Sequence, residues 1–204
     1  MELWYPDAVR RDGPMEKTGY SGIPVRDGRG LVMHSMEGYM HSALDILDDV
    51  NIDSSWHFSN PKEGPLLQHY AIDVVAWHGT SRGANRRFGG CENEGMVGQP
   101  LTRSQINNNV GLMVWMAKND VQPWPGFIRG DTLFEHKEMI WFGSPATACP
   151  SDRIPWEELI RMAETVQSLQ LTVAIQRSQL EMAQAAARGD WQKVYDLSRF
   201  WLGK

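Results

Sequence analysis

Three side chains suited to a divalent cation stand in separate segments: His34 in VMHSMEG, His136 in FEHKEM and Cys149 in ATACPSD. Two imidazoles and a thiolate match a zinc ion with one open coordination position, the arrangement expected when zinc must activate a water. A lone His is more often a satisfied structural residue, and a lone Cys a small core hydrophobe. The segments around these three therefore carry the reading.

The composition sets limits on what such a site would serve. With 204 residues and 42% hydrophobic content, the chain can bury one full core and a small appendage. A net charge of −5 gives no support for a polyanion partner, so nucleic acid is not expected. MELWYPDAVRRDG lacks a cationic start followed by an apolar run, and no later segment reads as a membrane span. The expectation is a chain made in the cytoplasm without a signal peptide and without membrane insertion. The two cysteines, Cys91 and Cys149, make no disulfide framework, and Cys91 stays free if Cys149 holds metal.

The elements that must position these groups follow from pattern. Residues 1–27, with Pro6, Pro14 and Pro24, read as an irregular arm laid over a domain. Leu31 to Met33 predict a short buried strand that delivers His34 at its C-terminal end, where ligands commonly gather. Met40, Leu44 and Leu47 share a helical face within residues 38–50. SSWHFSN and PLLQHYAIDVVAWH read as strands around the turn NPKEG. GTSRGANRRFGG reads as a loop leading into CENEG. Thr102 is the expected N-cap of a helix with Gln105 three residues on and Ile106, Val110 and Met113 on its apolar stripe. The sum is an α/β fold with a central mixed β-sheet flanked by helices.

The order of these motifs resembles the zinc-dependent N-acetylmuramoyl-L-alanine amidases of phage endolysins, a domain shared with peptidoglycan recognition proteins. AWHG and the A-C-P-S segment with its upstream His are distinctive in combination, and the resemblance covers roughly residues 28–157. It implies a peptidoglycan recognition protein-like amidase fold for 28–157, with 158–204 as a helical tail. It also implies a bacterial peptidoglycan substrate cut between N-acetylmuramic acid and the L-alanine of the stem peptide. On the same basis His34, His136 and Cys149 hold one zinc ion, and the protein acts on the cell wall after release from the host cytoplasm. Glu92 in GGCENEG stands where many members carry a glutamate facing the reacting water.

Two positions depart from the small phage lysozyme-type branch. Trp56 replaces a tyrosine before the H-F pair, and Thr147 replaces a lysine two residues before the cysteine. Trp56 is expected on the substrate side with only an indole N–H to offer. Thr147 is expected as an oxyanion donor without positive charge. The resemblance sets the Trp77-His78 pair at the substrate groove, so His78 is expected as a substrate contact. Asn85 is expected to bond stem-peptide backbone, with Arg86 and Arg87 either meeting carboxylates or lining a solvated loop.

Two other functions compete with an amidase. A noncatalytic recognition module of the same fold typically lacks the cysteine, which this chain keeps. A zinc-stabilised structural protein would fill the fourth position, for which His57, His69 and His78 are candidates, yet no C-x-x-C pair is present.

Beyond ACPSDRIPW, residues 156–187 lack Pro and Gly. Leu159, Met162, Val166, Leu169, Val173, Gln176, Leu180, Ala183 and Ala187 alternate at spacings of three and four, a heptad seam that suits packing on the catalytic domain as a helical hairpin or pairing with another copy as a coiled coil, and slightly favours a homo-oligomer through the C-terminal helix. Gly189 stops that helix, Asp190 caps a second one, and Trp191, Val194, Leu197 or Ser198, and Trp201 follow along one side.

Overall fold

The structure is a computed structural model that describes residues 3–202, with side chains as far as Ser198. The side chain of Trp201, expected along one side of the last helix, therefore lies outside the described residues. Contacts divide the chain into two compact units, Met1–Ala163 and Glu164–Lys204.

The first unit is built on β1 (Val9–Arg10), β2 (Leu31–Ser35), β3 (Phe58–Asn60), β4 (Leu67–Gln68), β5 (Gly89–Asn93) and β6 (Leu133–Glu135). They form one sheet in the order β1-β4-β3-β5-β2-β6. Only the β3–β4 pair is antiparallel. β2 lies between β5 and β6 with all five residues buried, as a strand covered on both faces requires. Its run of Leu31, Val32 and Met33 supplies that apolar character.

Helix α1 (Met40–Asp48) buries Ala43 and Leu47 against Trp56, Tyr70 and Ala76. Its C-terminal carbonyls would otherwise lack partners. Lys17, from the N-terminal arm, donates its Nζ to Ile46 O, Leu47 O and Asp49 O at 2.6, 2.9 and 3.0 Å. A fully buried lysine thus caps the negative end of the helix dipole. The arm also provides β1, which pairs with β4 and covers a sheet edge.

Helix α3 (Arg103–Asn119) starts with the expected capping box: Gln105 N donates to Thr102 Oγ1 at 3.2 Å and Thr102 N to Gln105 Oε1 at 3.0 Å. Two expectations are corrected. DVVAWH makes no strand; Val74 and Ala76 form only isolated bridges to Val25 and Thr18, because a turn closed between Tyr20 and Ile23 interrupts the arm between the two points. The loop GTSRGANRRFGG contains a helix, α2 (Arg82–Arg87), whose N-cap Ser81 accepts from Ala84 N. Gly83 and Asn85 are poor helix formers, so this turn of helix is fixed by its cap and its packing.

Helix α4 (Trp156–Ala187) starts in the first unit and runs into the second. Leu159, the first member of the seam, is fully buried in the first unit. Further on, Leu169, Val173 and Leu180 are 60%, 61% and 59% exposed, whereas Ser178 and Ala185 are buried. At 100° per residue these two sets lie on opposite sides of the helix. Gly189 (φ +73°) ends α4, and Asp190 opens α5 (Trp191–Leu202) by accepting from Lys193 N.

Beneath the sheet, Arg26 Nη1 lies 3.0 Å from Asp120 Oδ1, with both side chains fully buried. Asp120 Oδ2 also accepts from Gly30 N and Trp124 Nε1, both at 2.7 Å, while Arg26 donates to Ile72 O and Arg87 O. Removing one partner leaves a buried charge uncompensated, at a typical cost of about 3–5 kcal/mol. Asp120→Ala is expected to lower stability by about that amount in chemical denaturation, and a loss within error of zero would contradict this role.

Candidate metal centre

The three neighbouring parallel strands β5, β2 and β6 end on one edge of the sheet, and their register decides what meets there. His34 on β2 pairs with Glu92 on β5, and Met33 pairs with Glu135 on β6, so His136 follows at the level of His34. Cys149 reaches the same edge from the loop beyond the 3-10 helix His136–Phe142. Two backbone bonds hold it there: Lys137 N donates to Cys149 O at 2.8 Å, and Ser35 N to Cys149 Sγ at 3.3 Å.

One ligand atom from each of His34, His136 and Cys149 lies within 4.8 Å of the others, so the cluster can hold a metal ion. His34 is buried, and the other two are partly buried. Two further observations fit a cation. His136 Nε2 and Glu92 Oε2 are buried and make no hydrogen bond among the described residues. Buried polar atoms of this kind are costly unless something satisfies them. Glu92 Oε1 lies 3.7 Å from His34 Nδ1, so the carboxylate faces the same space.

The electrostatics agree with this geometry. Burial, reinforced by His136 and His78, holds the His34 imidazole well below its usual range, and burial lowers His136 too. Both are therefore neutral and offer lone pairs. Burial, then Glu92, pushes the Cys149 thiol up to about 12, against the opposing Ser35 N–H. Burial, with Glu37 adding, pushes the Glu92 carboxyl up to about 8, while Arg153 opposes. A nearby cation favours the charged form of both.

The other expected site residues are placed differently. Trp56 is 3% exposed, and its Nε1 donates to Ser59 Oγ at 2.7 Å. It packs in the core under α1 and offers nothing to a substrate, which corrects its expected role. Ser59 Oγ in turn lies 2.8 Å from His69 Nε2, and His69 Nδ1 lies 2.8 Å from Arg11 O.

His78 is 4% exposed and lies behind His34, with Nδ1 3.1 Å from His34 Nε2 and Nε2 2.9 Å from Phe88 O. It is not open to substrate, which also corrects the expectation. Asn85 is buried, with Oδ1 accepting from Gly79 N at 2.6 Å and Nδ2 donating to Tyr20 Oη at 2.7 Å. Its amide is spent on shaping a wall rather than on a peptide.

That wall belongs to a cavity of about 330 Å³ lined by Tyr20, Asp53, Trp77, Thr80 and Asn85. Trp77 stacks with Tyr20 at a centroid distance of 6.2 Å and donates its Nε1 to Gly19 O. Thr147 is exposed; its Oγ1 accepts from Cys149 N at 3.2 Å, which leaves the hydroxyl proton free to donate.

Sequence reasoning missed Arg153 and Asn93. The buried guanidinium of Arg153 donates to Ser35 Oγ at 2.6 Å, Glu94 O at 2.9 Å and Gln99 O at 2.8 Å. It ties the segment after Cys149 to the ends of β2 and β5. Asn93 Nδ2 donates to His34 O at 3.1 Å, and Asn93 Oδ1 accepts from Asn60 and Asn109. A cation four residues after the cysteine and an asparagine inside an apolar strand were the available signals.

The N-acetylmuramoyl-L-alanine amidase family profile matches residues 24–152. No curated protein sequence matches the chain. Among solved structures, AmpD superposes with a TM-score of 0.61 at 15% identity, covering 79% of this chain and 97% of its own. The Staphylococcus aureus hydrolase AmiA gives 0.61 at 14% identity, covering 83% and 87%. The endolysin amidase LysCS from Clostridium intestinale gives 0.52 at 18% identity, covering 77% and 95%. At these identities the likeness is one of fold.

The buried imidazoles also set an acid limit. Burial lowers His57 well below its usual range and His69 to about 4. Both are neutral when folded and protonate near pH 6.5 once unfolded, so their contribution is fully present above about pH 6.5 and lost as pH falls. Each imidazole contributes a slope of about 1.4 kcal/mol per pH unit in that window. The unfolding temperature of chelated protein should therefore fall between pH 7 and pH 5, with a shallower fall in His69→Gln. A flat profile in the parent chain would contradict the burial of neutral imidazoles.

Proposed function

Because the chain belongs to the N-acetylmuramoyl-L-alanine amidase family and is a peptidoglycan amidase, we propose that His34, His136 and Cys149 hold one zinc ion and that Glu92 carries the proton transfers. The observation that carries this reading is the pair of buried atoms without partners, His136 Nε2 and Glu92 Oε2, facing the Cys149 cluster. The substrate is peptidoglycan, and the bond cut is the amide between the lactyl group of N-acetylmuramic acid and L-alanine.

Amide hydrolysis needs an activated water, stabilisation of the developing oxyanion and an acid for the leaving amine. A zinc ion held by these ligands supplies Lewis acidity, polarising a carbonyl and acidifying water. Glu92 accepts the proton of the attacking water at its carboxylate and delivers it to the departing nitrogen. Its carboxylate faces the same space as the ligand cluster, with Oε1 3.7 Å from His34 Nδ1, so one group is placed to do both. Thr147 donates its free hydroxyl proton to the oxyanion, its oxygen held by Cys149 N–H. Tyr20 and Trp77 line a cavity whose aromatic wall suits a sugar or stem peptide.

The setting we propose is that of an endolysin, acting on the wall after release from the host cytoplasm. Among the described residues, no helix is long and apolar enough to cross a membrane. A noncatalytic binder is disfavoured because Cys149 is brought to the two imidazoles with a backbone N–H on its sulfur. For the tail we propose pairing with a second copy along the open seam from Val166 to Ala187, where Leu169, Val173 and Leu180 are exposed. Its flanks carry mainly Gln and Thr, so little like charge opposes self-association.

Digestion of purified peptidoglycan should release stem peptides beginning at L-alanine, as read by mass spectrometry. Chelation should abolish the release and zinc restore it, whereas intact peptidoglycan in the presence of bound zinc would overturn the enzyme reading. His34→Ala, His136→Ala and Cys149→Ser should each lose zinc and activity. Glu92→Gln should keep zinc while turnover falls roughly 100- to 10,000-fold, and normal turnover would remove Glu92 from the mechanism. Light scattering of the full chain should give more than a monomer mass and Leu169→Glu/Val173→Glu a monomer; a monomeric parent chain rejects the seam.

A further inference from the structure

We propose that His78 is a positioning residue that fixes the tautomer of His34, so that His34 presents its Nδ1 lone pair to the metal. This rests on the metal-centre reading above and extends it to a residue that binds neither metal nor substrate.

The argument is one of donors and acceptors. Phe88 O can only accept, so the 2.9 Å contact to His78 Nε2 requires a proton on that nitrogen. A neutral imidazole carries one proton, which leaves His78 Nδ1 as an acceptor. The 3.1 Å contact from His78 Nδ1 to His34 Nε2 is then satisfied only if His34 carries its proton on Nε2. A neutral His34 is left with its lone pair on Nδ1, the nitrogen 3.7 Å from Glu92 Oε1. The two rings stand at 87° with centroids 5.2 Å apart, an edge-on arrangement compatible with such a bond. The chain of bonds therefore runs from a backbone carbonyl through one imidazole to a metal ligand, the type of support that orients ligands and raises their basicity.

The sequence makes room for this relay. A Cβ on Gly90 would lie 2.5 Å from His78 Cγ, so the bare second residue of β5 is what lets the ring lie against the strand. The same strand carries Glu92 two residues on, so β5 shapes both the support of the ligand and the acid-base group. An imidazole serving packing alone would have no need to spend its acceptor on a metal ligand.

Nitrogen-15 NMR of the imidazoles in the metal-free full chain should show Nε2–H tautomers for both His34 and His78. His78→Leu should weaken zinc binding about 10- to 100-fold in competition with a chromophoric chelator, lowering kcat more than KM. His78→Gln, whose side-chain oxygen can accept from His34 Nε2–H, should recover most of that affinity. An Nδ1–H tautomer at His34, or His78→Leu binding zinc as tightly as the parent, would overturn the proposal. Should His78→Leu fail to fold, the tautomers of the parent chain decide alone. Failure of the metal centre itself reads differently: the parent chain would then bind no zinc, or His34→Ala would bind it unchanged.

Discussion

Parallel pairing of β2 with β5 on one side and β6 on the other is the constraint on which everything else depends. Because the three strands run the same way, their C-terminal ends meet on one edge. Register then sets His34 level with Glu92 and brings His136 off the neighbouring strand. A slip of one residue would turn His34 to the opposite face of the sheet and leave no site. Much of the remaining polar structure of the first unit serves this edge: Arg153 and Asn93 bind the strand ends, and Gln105 joins α3 to Asn60 O and Glu94 O.

The price of this arrangement is electrostatic. A carboxylate, a thiol and two imidazoles share a space where burial disfavours every charged form. Among the described residues, His136 Nε2 and Glu92 Oε2 are buried without a hydrogen-bond partner. A bound cation removes that strain at once, which couples metal binding to folding stability.

The cluster of His34, His136 and Cys149 was legible in the sequence because few residues could form it, and because each stands at the end of a strand or in a distinctive segment. The α3 helix was legible too, since Thr102 and Gln105 act locally. What was not legible depends on contacts between distant residues. Lys17 caps a helix nearly thirty residues on, and Arg26 pairs with Asp120 across most of the first unit. Trp56 and His78 were assigned to the substrate side, yet both turn inward, because a dipeptide motif does not say which face a side chain takes. Residues 74–77 have the apolar run of a strand but form only isolated bridges to the arm and pack with Trp56 and α1, so their pattern reports burial and not a ladder.

The central claim is that the sheet edge gathers His34, His136 and Cys149 around one metal ion. X-ray absorption at the zinc edge, on protein loaded with a single equivalent, tests it most directly. The account predicts two imidazole nitrogens near ~2.0–2.1 Å and one sulfur near ~2.3 Å. A zinc shell without sulfur, or without imidazole, would contradict it.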